Sequence, residues 1–339
     1  MHAGRPMTHR LCIAPMMDRT DRHFRYLLRL LAPHARLYTE MITARALLHG
    51  DAEKLLRFSS AEHPVALQLG GSEPAELAAA AKLGELAGYD EINLNVGCPS
   101  DRVQAGCFGA ALMLQPRRVA DCVAAMREAV RLPVTVKTRL GVDEHDSYEF
   151  AQAFIAQVAI SGCDTFIVHA RKAWLKGLSP KQNREIPPLD YGRVHRLKRD
   201  FPHLSIVING GLTTVAATLR QLEHVDGVML GRVAYQDTCL VAEIDARLHD
   251  GGSLHETAVL ADYVQYVAGE VALGTPLKTM TRHLLGMRTG RPGGRRWRRA
   301  LGELKPGRAG VEALSRLVRM EQESAAQPSR DRVLVHDSL

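Results

Sequence analysis

Short apolar runs, many of them β-branched, recur along this chain between longer stretches with helical spacing. The runs Leu11–Pro15, Leu37–Met41, Val65–Leu69, Glu91–Asn95, Val134–Thr138, Thr165–His169, Ser205–Asn209 and Gly227–Leu230 predict eight β-strands. Between them, segments such as Ala75–Leu86, Arg118–Arg131, Tyr148–Ile160, Tyr191–Arg199 and Val215–Leu222 predict amphipathic helices. Eight strand–helix alternations within about 235 residues are the count of an α/β fold of TIM (β/α)8 barrel type. A doubly wound open sheet is the runner-up, but the Gly-x-Gly-x-x-Gly that it carries after its first strand is missing.

After about residue 245 the β-like runs stop, and Leu260, Val264, Val267 and Val271 continue at helical spacing. Gly290, Pro292, Gly293 and Gly294 interrupt this region. The expected organisation is a tail over 1–9, a barrel over 10–245, a small helical domain over 246–320 and a flexible tail over 321–339.

Charge sharpens the picture through its location. Residues 271–302 hold Lys278 and seven arginines (282, 288, 291, 295, 296, 298 and 299) and no acid, while the remaining chain is close to neutral. A local basic patch suits a polyanionic partner; a solvated tail is the plainer alternative. No apolar run approaches the ~18 residues that span a bilayer, and the start lacks the apolar core of a signal peptide. The six cysteines show no Cys-x-x-Cys pair, so a reducing cytoplasm is expected rather than a disulfide framework or zinc site. The histidines show no metal-binding motif, and no metal is expected.

In a barrel, the residues that end the strands share one cavity. Here they are Pro15, Met16, Met17, Gln68, Asn95, Cys98, Lys137, Arg139, His169, Asn209, Gly210, Gly211, Gly231 and Arg232. The last four fall in the loops after the seventh and eighth strands, where such barrels often bind phosphate through backbone N–H groups. Lys137 would be costly as an unpaired core residue and is suited to an electron-rich ring, such as a reduced flavin; Gln68 offers donor and acceptor to an imide edge. Met16 and Met17 either pack on a flat ring or fill core. Cys12, Cys107, Cys122, Cys163 and Cys239 read as structural. Cys98 differs, because Gly97 and Pro99 flank it at a strand end. An ordinary thiol, with pKa of about 8.5, is mostly protonated at neutral pH and suits a proton donor.

These residues carry a resemblance. Ala14–Asp21, Gln68–Gly71, Asn93–Ser100, Val136–Arg139, His169–Lys181, Asn183–Leu189, Asn209–Gly211 and Gly231-Arg232 resemble the tRNA-dihydrouridine synthases, and within them the A-type subfamily. The resemblance runs from about residue 10 to 305. It implies an FMN-bearing barrel followed by a helical tRNA-binding domain. It implies NADPH-dependent reduction of the uracil C5–C6 bond at positions 20 and 20a of the tRNA D-loop. FMN would meet Pro15, Met16, Met17, Gln68, Lys137, His169, Asn209, Gly210, Gly211, Gly231 and Arg232. Cys98 would be the general acid, and Asn95, Lys181, Arg184, Arg295, Arg298 and Arg299 would meet the RNA; Arg139, at the same mouth, is expected to meet the substrate by stabilising charge that develops at the uracil carbonyl. The enzyme would act as a monomer, with no membrane and no protein partner.

Overall fold

The computed structural model describes residues 9–100, 108–249 and 256–326. Cys107 and most of the two expected tails lie outside the described residues. Nine strands form one parallel sheet: β1 (Leu11–Ile13), β2 (Leu37–Tyr38), β3 (Ile42–Thr43), β4 (Val65–Gly70), β5 (Glu91–Val96), β6 (Val134–Val142), β7 (Thr165–Ala173), β8 (Ser205–Asn209) and β9 (Gly227–Leu230). The neighbours run β1-β9-β8-β7-β6-β5-β4-β2, with β3 also on β4. The ring closes at Arg36, whose carbonyl accepts from Ile13 N–H at 2.9 Å and whose N–H donates to Leu11 O at 2.8 Å. This is the expected eight-position barrel, with helices packed around it.

One position departs from expectation. The run Leu37–Met41 holds only β2, and β3 lies past its end: the Thr39 N–H still donates to Ala66 O at 3.0 Å, but beyond it the Thr39 hydroxyl accepts the Gln68 N–H at 3.0 Å and donates to Glu40 O at 2.8 Å. β6 and β7 also run past their predicted ends, to Val142 and Ala173, across a register shift between Arg139 and Gly141.

Strict alternation sorts each strand into two layers. Leu11, Ile13, Leu67, Leu69, Ile92, Leu94, Val136, Phe166, Val168, Ile206, Ile208 and Val228 join the helices in the outer core. Cys12, Ala14, Tyr38, Ala66, Ile167, Val207 and Met229 form a separate, inner cluster. The inner layer is small for a barrel lumen, and buried polar side chains (Gln68, Glu91, Asn93, Asn95 and Thr135) fill the rest.

The C-terminal helical region starts with the helix Glu256–Ala272 and docks on the first barrel helix, Arg22–Leu31. Tyr266 stacks on Tyr26 with centroids 3.9 Å apart, and the buried Tyr263 hydroxyl reaches the His23 and Met280 carbonyls. Arg22 meets Glu270 through two hydrogen bonds, at 2.6 and 2.5 Å. Asp21 serves both parts. One of its oxygens caps the first barrel helix through His23 N–H and Phe24 N–H, while the other takes Arg282 at 2.6 Å and lies 3.1 Å from His283 Nε2.

This joint is acid-sensitive. The Arg22 hydrogen bonds hold the Glu270 carboxyl down at about 2, so its contribution is complete above the ordinary 4.5 and is lost as pH falls toward 2. Burial, with Arg22 beside it, pushes His23 down to about 4; it stays neutral when folded, and stability falls as pH drops from 6.5 toward 4. Thermal melts should therefore fall steadily from neutral pH to about pH 4. Glu270→Gln should lower the melting temperature at neutral pH and flatten the part of the profile below about pH 4.5. Parallel profiles for the two proteins would show that the Arg22–Glu270 pair does not set the acid limb.

Candidate active site at the barrel mouth

A chain of side chains climbs the barrel lumen from its floor. Glu91, fully buried, lies 2.7 Å from His9 Nε2 and 3.2 Å from Arg36, and accepts from the Tyr38 hydroxyl at 3.0 Å and the Thr135 hydroxyl at 2.6 Å. Thr135 in turn accepts from Asn93 Nδ2 at 2.8 Å, and Asn93 Oδ1 accepts from Gln68 Nε2 at 2.7 Å. Gln68 Oε1 accepts from Asn95 Nδ2 at 2.9 Å, and Asn95 Oδ1 accepts the backbone N–H groups of Gly97 and Cys98 at 3.1 and 3.0 Å.

The chain has a direction. An ionised carboxylate only accepts, so the Thr135 hydroxyl must donate downward, and every amide above it is then oriented with donor down and acceptor up. The acceptor at the top fixes the turn that presents Cys98. Burial opposes ionisation of Glu91, but His9, Arg36 and Thr135 outweigh it and lower its pKa.

Around this turn the structure assembles most of the predicted set. Register places Asn95 beside Lys137, Arg139 beside His169, and His169 beside Asn209. Lys137 Nζ donates to Asn209 Oδ1 at 3.2 Å, and Asn209 Nδ2 donates to Met229 O at 2.7 Å. Burial and the nearby Arg139 push the Lys137 ammonium down to about 7. Burial, with Arg139 and Lys137, puts His169 well below the ordinary value, so its imidazole is neutral. Cys98 is half-buried and 3.5 Å from Ser100 Oγ, close enough to Lys137, Arg139 and Arg184 to act on each electrostatically.

The loops after β8 and β9 are shaped by close approach. Gly210 has φ +115°, and a Cβ there would sit 2.7 Å from His169 Cδ2. A Cβ at Gly211 would sit 2.3 Å from Leu189, whereas one at Gly231 would meet nothing within 4 Å. The space over Gly231 is open, and Arg232 beside it pairs with Glu185. Met17 is 58% exposed at the rim, unusual for so large an apolar side chain, while Met16 packs on the inner cluster below Pro15.

Arg139 is more of a clamp than its sequence position suggests. It is buried and donates to three carbonyls, those of Gly97 (2.9 Å), Lys172 (3.0 Å) and Asn183 (3.0 Å), tying the Cys98 turn to the segment after β7. Lys181 and Arg184 are exposed on that segment. Arg295, Arg298 and Arg299 sit elsewhere, on the helix Gly294–Gly302, which is anchored by fully buried Trp297 through its bond to Leu284 O at 2.8 Å. The basic segment is narrower than its charge count. Arg282, Arg288, Arg291 and Arg296 pair with Asp21, Glu256 and Glu321 from outside it, which leaves Lys278, Arg295, Arg298 and Arg299 exposed, with no ion pair among the described residues.

Sequence reasoning passed over Glu91, Asn93 and Thr135. The signal was present: Glu91, Asn93 and Asn95 share one face of β5, as Thr135 and Lys137 do of β6.

The chain matches the family described as dihydrouridine synthase (Dus) over residues 12–322. A tRNA-dihydrouridine(20/20a) synthase of Vibrio cholerae is 55% identical over 315 residues, 91% of this chain and 96% of that protein. Proteins of the same name from Escherichia coli strain K12 and Shewanella oneidensis are 56% and 55% identical, covering 87% and 86% of this chain and 86% and 87% of their own lengths.

Thr135→Val keeps the shape of the rung but removes its hydroxyl, leaving Glu91 and Asn93 each short of a partner. The variant should lose about 1–3 kcal/mol, seen as a lower urea midpoint at unchanged slope. An unchanged midpoint would show that this rung carries no weight.

Proposed function

The chain belongs to the dihydrouridine synthase family, and on that premise we propose that it reduces the C5–C6 double bond of uridine in the tRNA D-loop, at positions 20 and 20a. What supports this reading most is the Cys98 turn. It holds a thiol at a strand end, fixed from below by Asn95, beside a mouth that is rich in cations and poor in acids.

The same mouth suits FMN. Lys137 has a single hydrogen-bond partner among the described residues, and burial with the nearby Arg139 depresses its ammonium, which an anion would relieve. Gly231 leaves open space, and Gly210 and Gly211 bring backbone close where a side chain would collide. In this reading Gln68, Lys137, His169 and Asn209 meet the ring, with Pro15, Met16 and Met17 along it. Gly210, Gly211, Gly231 and Arg232 hold the phosphate. When bound, FMN reduced by NADPH supplies the hydride that goes to C6.

The protein's own residues do the rest. Cys98 gives its proton to C5 of the uracil, and Asn95 holds both the ring and the turn that aims the thiol. Arg139 acts chiefly by keeping Gly97 in place, with its charge favouring electron density on the uracil carbonyl. A uridine must leave the RNA stack to reach this cavity, at a cost of a few kcal/mol. Lys181, Arg184, Arg295, Arg298 and Arg299 offset that cost through phosphate contacts. The helical domain over 246–320 thus grips RNA while the barrel over 10–245 does the chemistry. No helix among the described residues is long and apolar enough to cross a membrane. The reading places the enzyme in the cytoplasm with its RNA, as a monomer.

Cys98→Ala should keep the yellow absorption of bound flavin and lose dihydrouridine formation by about 10²–10⁴-fold, measured by mass mapping of treated tRNA. Near-normal turnover would remove Cys98 from the chemistry. Replacing Arg295, Arg298 and Arg299 by Ala should weaken tRNA binding and make its salt dependence shallower by about one unit per lost phosphate contact, while flavin reduction by NADPH survives. An unchanged slope would place the RNA elsewhere.

A further inference from the structure

At the opposite end of the barrel from the mouth, three side chains with metal-binding chemistry converge. His34 lies between the first barrel helix and β2, while Asp245 and His249 lie on and just after the helix Thr238–Leu248 that follows the last strand. One ligand atom from each of the three lies within 4.8 Å of the other two. His34 Nδ1 is 2.9 Å from Asp245 Oδ2, His249 Nδ1 is 3.0 Å from the Asp245 carbonyl oxygen and 3.7 Å from Asp245 Oδ1, and the two imidazoles stack with centroids 4.0 Å apart.

The carboxylate is the telling member. Asp245 is 2% exposed, and its Oδ1 has no hydrogen-bond partner. A buried carboxylate oxygen without a partner is costly. The nearby cation does not relieve it: Arg29, close enough to feel the charge of Asp245, spends its guanidinium on the carbonyls of Ala32, Pro33, Ala35, Glu62 and Pro64. The imidazoles keep an edge to solvent, with His34 28% and His249 25% exposed, so an ion has a route in.

We propose that His34, Asp245 and His249 bind a divalent transition cation of zinc type. Two imidazoles and a carboxylate favour such a metal over calcium or magnesium, which take oxygen ligands. Bonds of about 2.0–2.1 Å in a tetrahedral site put neighbouring ligand atoms about 3.3 Å apart, close to the 2.9 Å between His34 Nδ1 and Asp245 Oδ2, and the stacked His249 ring turns to aim a nitrogen at the same ion. Ligation exchanges the present imidazole N–H contacts for bonds to the cation, needs both rings neutral, and releases any proton they hold. Water completes the fourth position. Asp245 and His249 share one helical face at i, i+4, and His34 comes from the opposite side of the closure seam. The ion therefore clamps the last barrel helix to the first strand–helix unit, and its role is to lock the ring shut.

The test uses the whole protein, treated with a chelator, desalted, and then given zinc sulfate. Bound zinc is counted by mass spectrometry after a second desalting, and melting is followed alongside. One zinc per chain should be retained, with the melting temperature raised by about 5 °C at saturating metal. His249→Ala and His34→Ala should each lose that equivalent and its shift, whereas His195→Ala, in a second stacked histidine pair, should keep both. His34→Cys, which substitutes one zinc ligand for another, should retain the metal and guards against a variant that merely misfolds. Absence of retained zinc, or equal retention by the wild type and by His34→Ala and His249→Ala, would overturn the proposal.

Discussion

A carboxylate buried under the barrel decides more of this structure than any residue at its mouth. Glu91 gathers His9, Arg36, Tyr38 and Thr135 around one charge. Arg36 is also the residue through which β1 and β2 join, so the charge that organises the lumen sits on the seam that closes the ring. Because a carboxylate can only accept, the polarity set there passes through Thr135, Asn93, Gln68 and Asn95 to the two backbone N–H groups that shape the Cys98 turn. An apolar lumen would have closed as well, but it would carry no such instruction upward. From Thr135 through Asn93 and Gln68 to Asn95 each side chain has its partner, as a buried polar chain requires.

The mouth inverts the electrostatics of the floor. Below, one acid is surrounded by donors. Above, Lys137, Arg139, Arg184 and Arg232 gather, with Glu185 beside Arg184 and Arg232, and burial together with neighbouring cations lowers the pKa values of Lys137 and Arg139. Mutual repulsion held in place by a rigid scaffold is stored affinity for anions. It suits a phosphorylated ring and a polyanion arriving at the same opening.

Much of this was legible in the chain. The strands Ser205–Asn209 and Gly227–Leu230 and the helix starting at Tyr148 fall where periodicity puts them, because alternation and amphipathicity are local signals. The early end of the second strand was not legible, since it depends on the Thr39 hydroxyl taking the Gln68 N–H from the neighbouring strand. Cys98 stood out by its Gly and Pro neighbours, but Asn95, which holds its turn, is itself oriented by Gln68 and, further down, Thr135, dozens of residues away in sequence. The charge of residues 271–302 was legible as a sum, yet its effective part was not: folding pairs four of its eight cations with Asp21, Glu256 and Glu321. The convergence of His34 with Asp245 and His249 escapes any linear motif, because only ring closure brings the first unit against the last.

Asp21 joins the two parts of the molecule through a single side chain, one oxygen on the barrel helix and the other on the helical region. The segment from Pro15 to Thr20 leads straight into it from the mouth. On the proposed reading this makes the protein a gauge of fixed length. A folded RNA held at the exposed arginines can offer only the nucleotides that fall one set span from its grip. Selection among uridines then rests on geometry along the RNA backbone, and the sequence around the target is left free to vary.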